Sequence, residues 1–124
     1  ENIKIYKLID DLFTLLNKEN WSYEYIFLEL NLLKFIGFDL NIKDYCKHEI
    51  ADNNKRYYIE NSQKKMIVPN FLVEEHKINE ISNKDIYNSL ILISEYMKKN
   101  IFIPNNINFP ISRKIFINQF KLLF

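Results

Sequence analysis

Residues 22–37 read Ser-Tyr-Glu-Tyr-Ile-Phe-Leu-Glu-Leu-Asn-Leu-Leu-Lys-Phe-Ile-Gly, and this stretch decides how the rest of the chain is parsed. Phe27, Leu30, Leu33 and Ile36 recur at helical spacing, so the period predicts a helix over 22–36. Ile26, Leu28, Leu32 and Phe35 are apolar as well, and a helix apolar on so much of its circumference is normally central. Ser22 suits an N-cap, its hydroxyl accepting from an unpaired N–H of the first turn. Gly37 is the only glycine in the chain. It stands where a left-handed residue would end the helix without a Cβ penalty.

Outward from this helix the pattern changes twice. Upstream, Ile5, Leu8, Ile9, Leu12, Leu15 and Leu16 predict an amphipathic helix over 3–16. Downstream, from Phe38 to Phe71, the helical period disappears. Arg56-Tyr57-Tyr58-Ile59 and Met66-Ile67-Val68 read as short strands, with 61–65 as a hairpin-length turn between them. A hairpin is marginal alone and must lean on helices. The helical period returns at Ser82, which stands three residues before Asp85 in capping-box spacing, with Ile81 placed to staple onto Ile86. That predicts a helix over 83–99, closed by Lys98 and Lys99. Pro104 and Pro110 frame an Asn-rich link to a last helix over 111–123. The expected class is mainly α: a small helical domain with a β-hairpin inserted at about 43–70.

Composition sets limits on function. The chain has 124 residues, 48% hydrophobic, with a formal charge of +1. That length suits one domain, and the apolar content excludes a disordered tail. Ile, Asn and Lys make up 52 of the 124 residues, a bias that A- and T-rich codons explain without any functional meaning. A single glycine excludes Gly-rich phosphate loops, and a single cysteine excludes a disulfide framework. No apolar run reaches the roughly 18–20 residues that cross a bilayer, so the expected location is cytoplasmic. Charge is uneven: residues 98–124 contain Lys98, Lys99, Arg113, Lys114 and Lys121 and no acid. This is a candidate surface for an anionic partner, or else an ordinary solvated helix face.

Little catalysis can be assembled from these residues. Cys46 and His48 are too few for a metal site, and His76 is distant in sequence, so no metal, zinc included, and no cofactor is expected. Asp10-Asp11 and Glu74-Glu75 read as solvated pairs rather than acid–base machinery. Tyr57 and Tyr58 beside Arg56 could stack on bases, or simply pack as hairpin aromatics.

The order of elements resembles the RecO recombination mediators. In that family a helix reading roughly F-E-L-x-L-L-x-x-L-G-Y/F runs into a short loop and a cysteine. Here residues 25–40, with Phe27, Glu29, Leu30, Leu33 and Gly37, lead through Asp44 and Tyr45 to Cys46. Tyr57-Tyr58-Ile59-Glu60-Asn61 is similar to the family's Y-x-S-x-x-x-G hairpin, and Ile67-Val68-Pro69-Asn70-Phe71-Leu72 to the L-P-x-F-L segment of some members. Ser112-Arg113-Lys114-Ile115-Phe116, with Gln119 and Phe120, is similar to the closing helix. Departures are plain as well. Glu49 stands where a zinc-binding member has its next cysteine, the second cysteine pair is missing, and so are the hairpin glycines. The resemblance therefore implies a zinc-free, degenerate zinc-finger-like region. It also implies that residues 1–124 correspond to the C-terminal helical domain, the family's N-terminal OB-fold having no counterpart in this chain.

The resemblance further implies a nucleoid-associated, non-enzymatic role in DNA repair and recombination. RecO-like proteins anneal single strands and load recombinase with the partner RecR. Their helical domain docks the acidic, Phe-ended tail of single-strand-binding protein. Such a tail needs an apolar notch ringed by cations. Phe27, Leu30 and Leu33 are the candidates for the notch; Lys34, Arg113 and Lys114 are the candidates for the ring. Weak contact with single-stranded DNA through basic residues is expected, and no membrane. The alternative is a small all-α protein-interaction module with no nucleic-acid role.

Overall fold

The computed structural model describes residues 3, 7, 21–60, 64–74 and 80–122. The helix expected over 3–16 lies outside the described residues, apart from Ile3 and Lys7, which are helical. The chain divides into two compact units, Glu1–Leu40 and Asn41–Phe124.

The first unit contains α1, Trp21–Phe35. Ser22 is already helical, so the helix begins ahead of the expected cap. Ile26, Glu29 and Leu33 are its buried residues, at i, i+3 and i+7. Leu32 and Ile36 remain exposed, so burial follows one stripe rather than the whole apolar circumference. Trp21 meets Tyr25, and Tyr23 meets Phe27, in edge-to-face pairs one turn apart. Gly37 has φ +95° and ends the helix as expected. The Gly37 N–H donates to the Lys34 carbonyl (3.1 Å) and the Phe38 N–H to the Leu33 carbonyl (2.8 Å). These two bonds are the pair that defines a Schellman ending.

The second unit overturns the mainly α expectation. It is a mixed α/β fold built on a three-stranded antiparallel sheet rather than a helical domain with an inserted hairpin. A short helix, α2 (Ile42–Tyr45), leads into β1 (Lys47–Ala51), β2 (Asn54–Glu60) and β3 (Lys65–Val68) in the order β1-β2-β3. The strand that the sequence reading missed is β1. Ala51 pairs with Asn54 across a two-residue loop, Asp52-Asn53, with φ 52° and 66°. Positive φ at both central residues is what a type I′ hairpin turn requires, and Asn and Asp adopt it where glycine is absent.

Alternation sorts the sheet's two faces. Tyr57 pairs with Val68, and both are buried; Tyr58 pairs with Ile67 on the opposite face, where Ile67 is exposed. That outer face carries ion pairs between Lys65 and Glu49 (3.0 Å) and between Lys47 and Glu60 (3.7 Å). The inner face is covered by α3 (Asn83–Met97), which packs on β3 and on α4 (Ile111–Lys121). Leu90 and Ile93 of α3 are 1% and 0% exposed and form the centre of this core. Val68, Phe71, Leu72, Ile117 and Phe120 are buried with them.

The start of α3 follows the sequence closely. Ser82 Oγ accepts from the Asp85 N–H and Asp85 returns the bond to the Ser82 N–H, both at 3.1 Å. The helix end does not follow it. Beyond Met97 the backbone continues through Lys98–Phe102 in π geometry, the Ile103 N–H reaching the Lys98 carbonyl at 2.9 Å. The side-chain amides of Asn100 and Asn105 donate to the Tyr96 and Ile101 carbonyls, satisfying groups that a regular helix would pair internally.

Candidate functional site

The acid-free residues 98–122 form a candidate surface of the second unit. The Ile107 N–H donates to the Phe102 carbonyl at 2.8 Å, folding the link back on the π turn. Phe102 and Phe109 then meet edge to face, 5.7 Å between centroids. The Lys98 ammonium lies 4.7 Å and the Lys114 ammonium 6.0 Å from the Phe109 centroid. The ring is therefore framed by two cations from separate elements, within the range where ammonium and ring attract. Lys98 also reaches Glu95 at 3.9 Å. Farther along α4, Lys121 sits 5.8 Å from the Tyr87 ring.

Phe109 is not among the residues that the sequence singles out, and Lys98 is expected only as one cation of the basic stretch. The charge of the segment was legible, but Phe109 falls in an Asn-rich link between two prolines, where no periodic signal singles it out. Its meeting with Phe102 depends on the turn between them.

The expected site residues divide between the two units. In the first, Phe27 and Leu30 of α1 are half-buried, Leu33 is buried and Lys34 is exposed. In the second, Lys114 is exposed, while Arg113 is half-buried with partners inside the fold. Arg113 Nε donates to Ser94 Oγ at 2.8 Å, and Nη2 lies 3.5 Å from the Leu90 carbonyl. Ser94 is itself buried and donates to the Leu90 carbonyl at 2.7 Å. Arg113 thus ties α4 to α3.

The hairpin tyrosines are engaged rather than presented. Tyr57 is buried and donates its hydroxyl to the Glu74 carboxylate. That bond, followed by burial, holds the hydroxyl above its ordinary pKa. One face of Tyr58 is covered by the Lys65 ammonium, 4.1 Å from the ring centroid, and Lys65 is held charged beyond its ordinary range by Glu49. A raised folded pKa gives stability that is complete below the unfolded value and lost as pH rises through the folded one. Wild type is thus expected to be more stable than Tyr57→Phe at neutral pH, and the gap to narrow above about pH 10. Urea midpoints of the two proteins across that range test this, and a gap that widens would contradict it.

Other chemistry is sparse. Cys46 is a free thiol whose nearest polar partner is the Lys43 carbonyl at 3.9 Å. His48 is exposed. Among the described residues no three His, Cys, Asp or Glu side chains gather to hold a metal ion; His76 lies outside them. A cleft of about 720 Å³ runs between β2, β3 and the start of α3. Its charges balance, with Arg56, Lys65 and Lys84 against Glu49, Glu80 and Asp85. Glu49 and Lys65 pair with each other, and Asp85 caps α3. No helix among the described residues is long and apolar enough to cross a membrane. No family model matches the sequence, and no curated protein or solved structure matches it either.

Proposed function

We propose that the chain is a non-enzymatic docking module of the recombination-mediator type, capturing the acidic, Phe-ended tail of a single-strand-binding protein. The observation that carries this reading is the framing of Phe109 by Lys98 and Lys114 within a stretch free of acids. A phenyl side chain of the tail has an aromatic surface to pack on, at Phe102 and Phe109. The terminal carboxylate and the acids before it have two ammonium groups beside that surface. The resemblance of residues 25–40 and 112–120 to RecO supports the same assignment. It extends the proposal to a RecR-like partner and to weak contact with single-stranded DNA. The DNA contact draws on the same cations, so it should fall with added salt.

Anisotropy titration of a labelled acidic peptide ending in Phe, at two salt concentrations, tests the proposal. Lys114→Glu should weaken binding by about tenfold or more, since contacts to charged groups contribute about 1.5–3 kcal/mol, and Phe109→Ala should do so by removing the aromatic anchor. Replacing the peptide's terminal carboxylate by an amide should do the same. Lys34→Glu and Phe27→Ala test the contribution of α1 separately. A wild-type chain that ignores the peptide, or binding indifferent to Lys114→Glu and to salt, removes the proposal.

A further inference from the structure

The solvent side of α4 exposes aliphatic side chains that the helix does not bury in its own packing, set among polar and basic residues. Ile117 and Phe120 fill the inward face, at 5% and 4% exposure. On the opposite side Ile111, Ile115 and Leu122 are 72%, 51% and 83% exposed. At about 100° per residue these three positions, the last of them the C-cap Leu122, fall within roughly 40° of one another along about 16 Å, with the exposed Asn118 between Ile115 and Leu122. Single exposed aliphatic residues are ordinary, whereas these three share one side of the helix, where an apolar ridge of a partner could cover them together. Lys114 and Lys121 lie together along one border of the stripe, while Ser112 and Gln119 lie along the other.

We infer that this stripe docks an acidic amphipathic helix of a partner protein, whose apolar ridge covers Ile111, Ile115 and Leu122 while its carboxylates meet Lys114 and Lys121. Charge selects this occupant. Residues 98–124 contain five cations and no acid, so a second copy of α4 laid on the first would bring like charges together with nothing to offset them. A lipid surface would be met best by cations on both borders of the stripe, and here they occupy one. A helix with acids along one flank matches both the width and the one-sided charge. The inference goes beyond the capture of a Phe-ended tail, because it uses the aliphatic face of α4 rather than the Phe102–Phe109 pair.

The probe is a synthetic helix of about four turns, roughly 22 Å long, acetylated and amidated. It carries Leu at its apolar positions and Glu along one flank, with neither Phe nor a free carboxylate. The full chain should bind it, and should bind a version with Lys in place of Glu at least about tenfold more weakly. Ile115→Glu should lower affinity for the acidic helix by about tenfold or more, with the circular dichroism spectrum unchanged because the residue is exposed. Ile111→Ser with Leu122→Ser is the second variant and should act the same way. Phe109→Ala should weaken the Phe-ended tail and leave the helical probe unaffected, whereas the uncharged pair Ile111→Ser with Leu122→Ser should do the reverse, so either reading can fail alone. Equal binding by wild type and Ile115→Glu, or no binding at about 100 μM, overturns the inference. So does co-sedimentation with phosphatidylglycerol vesicles that Ile115→Glu abolishes, which would make the occupant a membrane. A dimer in sedimentation equilibrium that the same change dissolves would make it a second copy.

Discussion

Ile93→Ala is expected to lower the stability of the second unit by about 2–5 kcal/mol, the range for truncating a large aliphatic side chain in a packed core. Ile93 is fully buried, on the helix that packs against both β3 and α4. Three of its four side-chain carbons would be removed with no neighbour free to fill the space, since Leu90, Val68 and Ile86 around this core are themselves 1–3% exposed. A loss of that size is a large fraction of the stability of an ordinary small domain, about 5–15 kcal/mol. Ile93→Val should cost about 0.5–1.5 kcal/mol, giving a graded series at one site. Ile103→Ala, at a position 70% exposed, should stay within about 0.5 kcal/mol of wild type. Urea unfolding followed by fluorescence and by circular dichroism measures all three. If Ile93→Ala unfolds at the wild-type midpoint, α3 is not the centre of this core.

The elements most legible in the sequence were those whose signals are local and chemical. Ser82 with Asp85 announced the start of α3 because two side chains suffice to satisfy its first N–H groups. Gly37 announced the end of α1 because a φ of +95° strains any residue with a Cβ. The third strand stayed hidden for the converse reason. Its turn, Asp52-Asn53, does the work usually read from glycine, and the left-handed residues Asn41 and Asn106 do so elsewhere. In a chain with one glycine, asparagine takes over these positions, and its abundance makes each instance easy to dismiss as bias. Lys47–Ala51 also lacks an apolar alternation, four of its five residues being exposed, so strand periodicity gave no warning. Once the third strand is counted, the hairpin becomes a sheet and the class changes with it. The candidate docking surface was half legible. Its charge could be counted, but the meeting of Phe102 with Phe109 depends on a π turn and on asparagine side chains bonded to carbonyls four residues back. No pattern of apolar spacing encodes that.

Arg113→Ala is expected to cost about 1.5–3 kcal/mol of stability, the usual contribution of a hydrogen bond to a charged group. In the sequence Arg113 stands with Lys34 and Lys114 as a candidate cation for a carboxylate, and a guanidinium can donate two parallel bonds where Lys114 offers a point charge. In the fold that guanidinium also has an internal partner, Nε donating to Ser94 Oγ at 2.8 Å across the α3–α4 packing. Ser94 is buried, so its oxygen loses a charged donor that water cannot readily replace. Arg113→Lys should recover only part of the loss, since a lysine cannot reproduce the planar donor geometry. Combining Arg113→Ala with Ser94→Ala should cost less than the two changes summed, by roughly 0.5–3 kcal/mol, as for any pair in direct contact. Tail-peptide affinity measured on the folded protein separates the two roles. A positioning residue should show the stability loss and the coupling to Ser94, with affinity falling only as Lys114 shifts. If Arg113→Ala keeps the wild-type unfolding midpoint while peptide binding drops about tenfold, the guanidinium serves the ligand and its bond to Ser94 is incidental.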